Sequence, residues 1–524
     1  VTRGDAARAL LESDAFLAAW RRLHDQCPWA SPLQSPEFAR CWFDAYRATS
    51  SPVLAQVRSD NENGELVGLM VVTTVSSSPR QLYHVGLGQA EYQGWLCRAE
   101  DAHRMPSALF DALKAAFPAH TLHLQYLLPG MPFDMTHHVA AAERMMLRTT
   151  RRPLQDLLNI EALDKQLADS AKRDLHKRLR RIGPLRMEHL TEPDQLDGVL
   201  ARIATWVDCR QAAVHGGTAF EADAAKAPFY RAMFRASGLL HASVLYAGDE
   251  IVAVNFGAPN RSDVQLGLIA HNPWLARWSP GTYLIRYLAP LLAREGFNRL
   301  DLTAGGDAYK ERFATSYDEV RTLTIYPTRF ARFVADQRQA LDDSVSQLLA
   351  KRGITRRDAR LQANKWRSLR GDDVRELIRR SLSGRHAAPV IFTLGERQPD
   401  EGANRPQIEV RRDRLEDLLQ YDRWLPLTTR QAFLSLALRR VESGQRFYTV
   451  CDADRLIGIG WLAERVSPTV RTVEGATIPE ALEGHCALHG CSVRPASRRR
   501  GVGRAILRAI VQPTMYHHAV PTTP

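Results

Sequence analysis

Val493-Arg494-Pro495-Ala496-Ser497-Arg498-Arg499-Arg500-Gly501-Val502-Gly503 joins a β-rich run to an apolar helical pattern formed by Ala505, Ile506, Leu507 and Ile510. A helix start leaves backbone N–H groups unpaired and carries the positive end of the helix dipole. A phosphate group can rest on those donors. Gly501 and Gly503 let it approach without a Cβ in the way, Pro495 stiffens the exit from the strand, and Arg498, Arg499, Arg500 and Arg504 supply charge-assisted hydrogen bonds. The stretch reads as a strand–loop–helix built to hold an anion.

Upstream of this loop lies a pattern that occurs three times. Runs of β-forming residues flank turns of Asp, Asn or Gly at 53–75, 241–257 and 446–463, and each such segment reads as a β-hairpin. Before the hairpins, apolar residues at i, i+3, i+4 spacing predict helices over Phe38–Tyr46, Phe229–Ala236 and Thr429–Glu442. After them, strands are expected at Leu82–Gly86, Val264–Ala270 and Ala487–Val493, then helices at Met105–Ala116, Thr282–Arg294 and Gly503–Val511. The first two units continue into strands at Thr121–Tyr126 and Arg299–Thr303. In the third unit only Arg504–Pro524 follow the loop, so it is expected to be partial.

The chain has 524 residues, of which 45% are hydrophobic and 24% charged, and it carries a net charge of +12. At roughly 100–200 residues per domain this allows two to four domains of ordinary globular protein. The positive balance suits a polyanionic partner. Seven scattered cysteines without a C-x-x-C pattern fit a reducing compartment. His485-Cys486-Ala487-Leu488-His489-Gly490-Cys491 lacks a second ligand cluster at zinc-like spacing and reads as a strand, so no metal site is expected. No apolar run reaches the ~18 residues of a membrane helix and no secretory signal is visible. A cytoplasmic protein, peripheral to a membrane at most, is therefore expected.

Val-x-Pro-x-x-Arg-x-x-Gly-x-Gly followed by an apolar helix resembles the acyl-coenzyme A pyrophosphate motif of the GNAT acyltransferase superfamily. The resemblance implies a mixed α/β GNAT fold, an acetyl-CoA or other acyl-CoA cofactor held by Val493, Arg498, Arg499, Arg500, Gly501, Val502, Gly503 and Arg504, and direct attack of an amine or hydroxyl on the thioester. The first part of the chain, about 8–335, is similar to another family. Leu33-Gln34-Ser35-Pro36-Glu37-Phe38, Leu66-Val67-Gly68-Leu69, Ser279-Pro280-Gly281 and Asp301-Leu302-Thr303-Ala304-Gly305-Gly306-Asp307-Ala308-Tyr309-Lys310 resemble the bacterial acetyltransferases of cellulose and exopolysaccharide biosynthesis, which are akin to Fem-type peptidyl transferases. That implies a tandem pair of GNAT-like units at 8–150 and 151–340. A basic helical connector at 341–388 and a partial GNAT module at 389–524 complete the expected organisation.

Within the tandem, Asp301 ends an apolar strand, where a carboxylate can act as a base or orient a substrate amine; a purely structural role satisfying loop N–H groups is equally compatible. Tyr309 and Lys310 follow a glycine turn, and Lys310 can pair with Asp301 or meet an anionic substrate. Ser279-Pro280-Gly281 opens a helix, with Ser279 or Gly281 available for capping and Arg277 and Arg286 nearby in sequence, but it lacks the arginine-glycine donors of the later loop. His215 in His215-Gly216-Gly217 is a weaker candidate. Lys172, Arg173, Lys177, Arg178, Arg180 and Arg181, with Leu175, Leu179 and Ile182 between them, make residues 172–181 a basic amphipathic helix. It is either a solvated face or a contact for tRNA, a lipid-linked saccharide or an anionic membrane. No aromatic residues interleave with the charges, and no DNA partner is expected.

The leading expectation is an acyl-CoA-dependent acyltransferase acting on a saccharide or amine-bearing component of the envelope or an exopolysaccharide. The alternatives are Fem-like transfer from aminoacyl-tRNA and a non-catalytic scaffold.

Overall fold

The computed structural model describes residues 1–351, 408–463 and 487–517, apart from 61–63, 128–129, 132, 134–141, 172, 237, 308 and 427. The chain divides into two compact units. The first comprises Val1–Ala201, Ala224–His271 and Trp278–Leu348; the second comprises Arg202–Asp223, Asn272–Arg277 and Leu349–Pro524.

The first unit begins with strand β1 (Thr2–Arg3) and helices α1 (Gly4–Glu12), α2 (Asp14–Gln26) and α3 (Pro36–Ala45). Side-chain caps set these helix starts: Ser13 accepts from Phe16 N–H, and Ser35 accepts from Phe38 N–H at 3.1 Å with Pro36 in the first turn. Then come β2 (Ser50–Arg58), β3 (Leu66–Val75), β4 (Gln81–His84), β5 (Leu96–Cys97), α4 (Met105–Ala116) and β6 (Thr121–Leu127). The hairpin expected at 53–75 is β2 and β3, antiparallel from Ser50↔Val75 to Arg58↔Leu66. Leu66–Thr73 of β3 are buried without alternation, as in a central strand covered on both faces.

The chain continues through β7 (Met145–Asp156), α5 (Ile160–Ala171), α6 (Asp174–Arg180), β8 (Leu185–His189), α7 (Pro193–His215), α8 (Lys226–Arg235), β9 (His241–Ala247) and β10 (Glu250–Gly257). It ends the first unit with β11 (Pro259–Asn260), β12 (Asp263–Gln265), β13 (Leu268–His271), α9 (Pro280–Arg294), β14 (Arg299–Asp301), β15 (Ser316–Ile325) and α10 (Arg329–Lys351). A sheet of 11 strands in the order β1-β2-β3-β4-β6-β15-β7-β14-β12-β11, with β5 beside β3, runs through the whole unit. Its middle is the antiparallel β7–β15 pair, in unbroken register from Ser316↔Leu154 to Ile325↔Met145. The boundary expected at 150/151 falls inside β7.

One expected strand is two. Residues 264–270 divide into β12, which lies in the large sheet parallel to β14, and β13, which pairs with β10 in a second sheet ordered β13-β10-β9-β8. Two glycines make the crossing: a Cβ on Gly257 would run into the Gln265 carbonyl oxygen, and one on Gly267 into that of Phe256. An apolar run cannot reveal that its two halves serve different sheets.

The second unit contains β16 (Arg411–Arg412), α11 (Leu415–Leu419), α12 (Arg430–Glu442), β17 (Arg446–Asp452), β18 (Arg455–Ala463), β19 (Ala487–Val493) and α13 (Val502–His517). The strands form an antiparallel sheet in the order β16-β17-β18-β19. Thr429 caps α12 by accepting from Ala432 N–H at 3.1 Å. Phe433, Leu434 and Val441 of α12 pack on Phe447, Ile459 and Trp461, and residues Cys209, Ala212 and Ala213 join this core. On the opposite side α13 lies close against β18 because of glycines: a Cβ on Gly458 would stand 2.6 Å from Val502 Cγ1, and one on Gly460 2.7 Å from Ile506 Cγ2. The basic connector after Lys351, and Cys486, lie outside the described residues.

Gly257→Ala should lower stability by about 1–3 kcal/mol or prevent folding, because the added methyl has no room at the crossing. Gly281→Ala, where a Cβ meets nothing within 4 Å, should leave stability unchanged or raise it by up to ~1 kcal/mol. Urea unfolding of both variants measures the contrast.

Candidate functional site

The anion loop is laid out as its residues demand. Strand β19 ends at Val493, a short 3₁₀ turn covers Pro495–Ser497, and α13 starts at Val502. Arg499 and Gly501 adopt left-handed φ angles of 63° and 87°, which explains the glycine at 501. The first helical hydrogen bond runs from Ala505 N–H to Gly501 O at 3.0 Å, so the N–H groups of Val502, Gly503 and Arg504 precede the intrahelical ladder. Arg498, Arg499, Arg500 and Arg504 are exposed, while Val502 and Ile506 anchor the helix beneath them and Val493 packs against that core. A hollow of about 740 Å³ lies beside the loop, lined by Asp452, Asp454, Arg455, Arg494, Ser497 and Arg500 among others. Arg494 pairs with Asp422 at 2.9 Å. Arg500 stands 3.9 Å from Asp452, with both side chains well exposed. Arg494 is thus held by Asp422, whereas Arg498, Arg499, Arg500 and Arg504 lie exposed around the helix start.

A second cluster forms where β14 ends. Asp301 is buried, and both carboxylate oxygens are engaged: Oδ1 accepts from Thr303 N–H at 2.8 Å, and Oδ2 accepts from Arg152 Nη1 at 3.1 Å and from the Tyr92 hydroxyl. Arg152, from β7, also holds Asp318 of β15 through Nε at 2.7 Å and Nη2 at 2.6 Å, and its guanidinium lies over the Tyr92 ring at 5.3 Å. Burial pushes the Asp301 carboxyl above the usual carboxylate range, while Arg152 and Tyr92 pull it back. Burial likewise raises the Tyr92 hydroxyl, helped by the neighbouring Asp301 charge.

After Asp301 the backbone turns through left-handed residues at Thr303, Gly305 and Gly306, with φ of 60°, 146° and 73°. The turn brings Lys310 back over itself. Its ammonium is buried and donates to Thr303 Oγ1 at 3.0 Å and to Thr303 O at 3.3 Å, and it pairs with Asp307 at 3.1 Å. The sequence left Lys310 free to pair with Asp301; in the structure Asp307 is the ion-pair partner. Tyr309 packs against the apolar cluster of Leu300, Leu302 and Leu288.

Sequence reasoning missed Glu91, Tyr92 and Arg152. Glu91 comes from the segment before β5, is only partly exposed, and feels both the Asp301 and Lys310 charges; burial, reinforced by Asp301, pushes its carboxyl up to about 7. Nothing in a sequence more than two hundred residues away marks Glu91 as a neighbour of Asp301. Tyr92 and Arg152 were equally hidden: Arg148 and Arg151 in the same strand are exposed, so the sequence does not mark Arg152 as the buried one.

The other candidates are placed as follows. Ser279 occupies the N-cap position of α9 in a left-handed conformation, φ 55°, and its side chain makes no capping bond, contrary to expectation. Arg286 donates to Ser170 Oγ at 2.5 Å. In the basic helix, His176 and Leu179 are the buried side chains, whereas Leu175 and Ile182, expected on the apolar face, are exposed at 36% and 40%. Arg173, Lys177, Arg178, Arg180 and Arg181 are exposed, and Lys172 lies outside the described residues. His215 ends α7. The six described cysteines are free; burial raises Cys97 and Cys209 to about 12, which makes them poor nucleophiles. Among the described residues no helix is long and apolar enough to cross a membrane.

Arg152→Met should cost about 3–5 kcal/mol, because it strands the Asp301 carboxylate in a buried site. The double variant Arg152→Met/Asp301→Asn should recover part of that loss. Equilibrium denaturation of the single and double variants tests this coupling.

Comparison with known proteins matches two parts of the chain. A model described as acetyltransferase (GNAT) domain matches residues 170–311, and one described as acetyltransferase (GNAT) family matches residues 409–514. No curated protein matches the chain. Solved structures that resemble it include FemX, at 10% identity and a TM-score of 0.41, covering 61% of this chain and 98% of FemX. A tandem GNAT protein from the clavulanic acid biosynthesis pathway gives 16% identity and 0.38, covering 61% and 97%. The C-terminal domain of a putative lysylphosphatidylglycerol synthetase from Agrobacterium fabrum gives 14% and 0.38, covering 63% and 95%. Residues 170–311 and 409–514 thus each match a GNAT acetyltransferase model, and the mixed α/β architecture of the chain accords with a GNAT fold in these two stretches.

Proposed function

We propose that the protein is an acyl-CoA-dependent acyltransferase that transfers an acyl group, acetyl in the simplest case, to an amine or hydroxyl of a saccharide-bearing envelope or exopolysaccharide component. The observation that carries this reading is the loop at Val493–Gly503, where a left-handed turn, an open helix start and exposed arginines form one anion cradle. Arg498 to Arg504 would hold the pyrophosphate of coenzyme A, and Val493 would lie beside the pantetheine arm. The acceptor class rests on the resemblance of residues 8–335.

The first unit separately carries candidate acceptor chemistry of its own in the cluster at the end of β14. Glu91, a carboxyl that ionises near neutral pH, serves as the base that takes the proton of the attacking amine or hydroxyl. Lys310, held by Thr303 and Asp307, offers a cation to developing negative charge or to an anionic group of the acceptor. Asp301 positions the turn that carries Lys310 and Tyr309 through its bond to Thr303 N–H. A nucleophilic attack of this kind forms the new C–N or C–O bond, breaks the C–S bond and expels the CoA thiolate, and the proton that the base takes from the acceptor is then passed to that thiolate or to water.

Transfer from aminoacyl-tRNA is the second reading, favoured by the exposed basic side chains on and beside α6. Salt-sensitive tRNA binding that disappears in Arg178→Glu/Arg180→Glu/Arg181→Glu, together with no acyl-CoA binding, would replace the first reading with this one.

Calorimetry should detect acetyl-CoA binding to the whole chain, and Arg498→Glu should weaken it at least tenfold; unchanged affinity would move the cofactor site away from this loop. If Glu91 is the base, kcat/KM should rise about tenfold per pH unit below pH 7 and level off above it, and Glu91→Gln should abolish that limb. Stability should shift in the opposite sense. A folded-state pKa raised from 4.5 to about 7 means that the folded protein binds more protons than the unfolded chain between those values, so stability falls as pH rises through that window. Glu91→Gln should therefore melt higher than the wild type at pH 8 and near it at pH 4.5.

A further inference from the structure

Three side chains that the proposed reaction does not use converge at the far end of β14 from Asp301. Strand pairing puts them on one face. His189, the last residue of β8, stands opposite Ser243 of β9, and His241 precedes Ser243 by two residues, so all three project to the same side of the sheet. Helix α9 packs on this sheet, and its C-cap residue is Glu295. The carboxylate meets both imidazoles, with Oε1 at 3.1 Å from His189 Nδ1 and Oε2 at 2.7 Å from His241 Nε2. The two rings stack with centroids 3.7 Å apart and planes at 22°. One ligand atom from each residue lies within 4.8 Å of the others.

We infer that His189, His241 and Glu295 form a binding site for a divalent transition-metal ion, zinc in the first instance, with water completing the coordination. Two neutral imidazoles and one carboxylate are a donor set that zinc accepts. A tetrahedral zinc with ~2.05 Å bonds needs ligand atoms roughly 3.4 Å apart; the carboxylate oxygens already stand 3.1 and 2.7 Å from the two nitrogens, and the partly exposed His189 ring has to tilt away from its stack on His241 for both rings to face one ion. The deeper ring is already oriented: His241 is buried, and its Nδ1 lies 2.8 Å from Ser243 Oγ. That bond leaves Nε2 for a metal, the outer-shell arrangement by which ligating histidines are held.

The surroundings favour a cation. Glu295 ends α9, where the helix presents the negative end of its dipole and its last carbonyls. Strand β8 is an edge strand, and the side chains of His189 and Glu295 remain 34% and 27% exposed, which gives an ion and its waters a way in. Bound there, the ion would staple the edge of the β8–β9 pair to the end of α9, the helix that leads into the strand bearing Asp301. Its role is structural, since the acceptor cluster lies at the other end of β14.

The test uses the untagged full chain, stripped with chelator and then given zinc or cobalt(II). Expected results are one zinc per chain by mass spectrometry of the gel-filtered protein, visible d–d bands with cobalt, and a melting temperature that rises with zinc. His189→Ala changes a partly exposed side chain and should fold with an unchanged circular dichroism spectrum while losing the cobalt bands and the zinc-dependent melting shift. Ser243→Ala should bind zinc roughly tenfold or more weakly. No uptake by the wild-type chain overturns the inference. So does wild-type affinity and an unchanged cobalt spectrum in both His189→Ala and Glu295→Gln, since that would place the ion on other cysteines or histidines.

Discussion

Arg152 is the residue on which the first unit turns. It sits in the strand at the middle of the large sheet, buried; three of its nitrogens donate, two to Asp318 on the next strand and one to Asp301 on the strand at its other side, and its guanidinium lies over the Tyr92 ring. A guanidinium in such a place loses its hydration, and mutual attraction compensates only when the geometry satisfies every partner. Here it does, through a fork to Asp318 and a single bond to Asp301. The consequence is specificity of register: slipping β15 by one residue against β7 would turn Asp318 to the other face. Packing alone would tolerate such slips more readily. Because Asp301 in turn fixes Thr303 N–H, the same network sets the left-handed turn that brings Lys310 inward.

This dependence explains what the sequence revealed and what it hid. The hairpins at 53–75, 241–257 and 446–463 and the helices beside them were legible because each announces itself locally, by alternation or helical spacing and by Gly, Asp and Asn turns. Met105–Ala116 matches its helix to the residue. The anion loop was legible for the same reason: its strand end, left-handed glycine and helix start are contiguous. Burial and long-range pairing were not. The run 264–270 is mostly apolar on both sides of Gly267, so its pattern alone does not say that the two halves belong to different sheets. Leu175 and Ile182 fit a helical spacing, yet α6 ends at Arg180, and His176 with Leu179 provides its inner side.

The cluster around Asp301 was half legible. Asp301, Tyr309 and Lys310 are near one another in sequence and were named together. The groups that give them their chemistry come from Glu91, Tyr92 and Arg152, brought in by strand pairing. The His189, His241 and Glu295 group shows the same thing more sharply, because no two of its members lie in a ligand-like spacing along the chain. Local motifs report on backbone-made sites such as helix starts. Sites made of side chains from different strands become visible only once the register is known.

Two helix starts, those of α9 and α13, differ in a way that bears on where a phosphate would go. At α9, Ser279 is left-handed without capping, Pro280 removes one of the first-turn donors, and Arg286 is already bonded to Ser170. At α13 the first turn keeps the N–H groups of Val502, Gly503 and Arg504, and four exposed arginines surround it. Both helices carry the same dipole, so the dipole does not discriminate between them. The number of first-turn donors and exposed cations does, and it favours the start of α13. The first unit offers different groups: a carboxyl at Glu91 raised by burial to about 7 and a lysine, Lys310, folded inward onto Thr303 and Asp307.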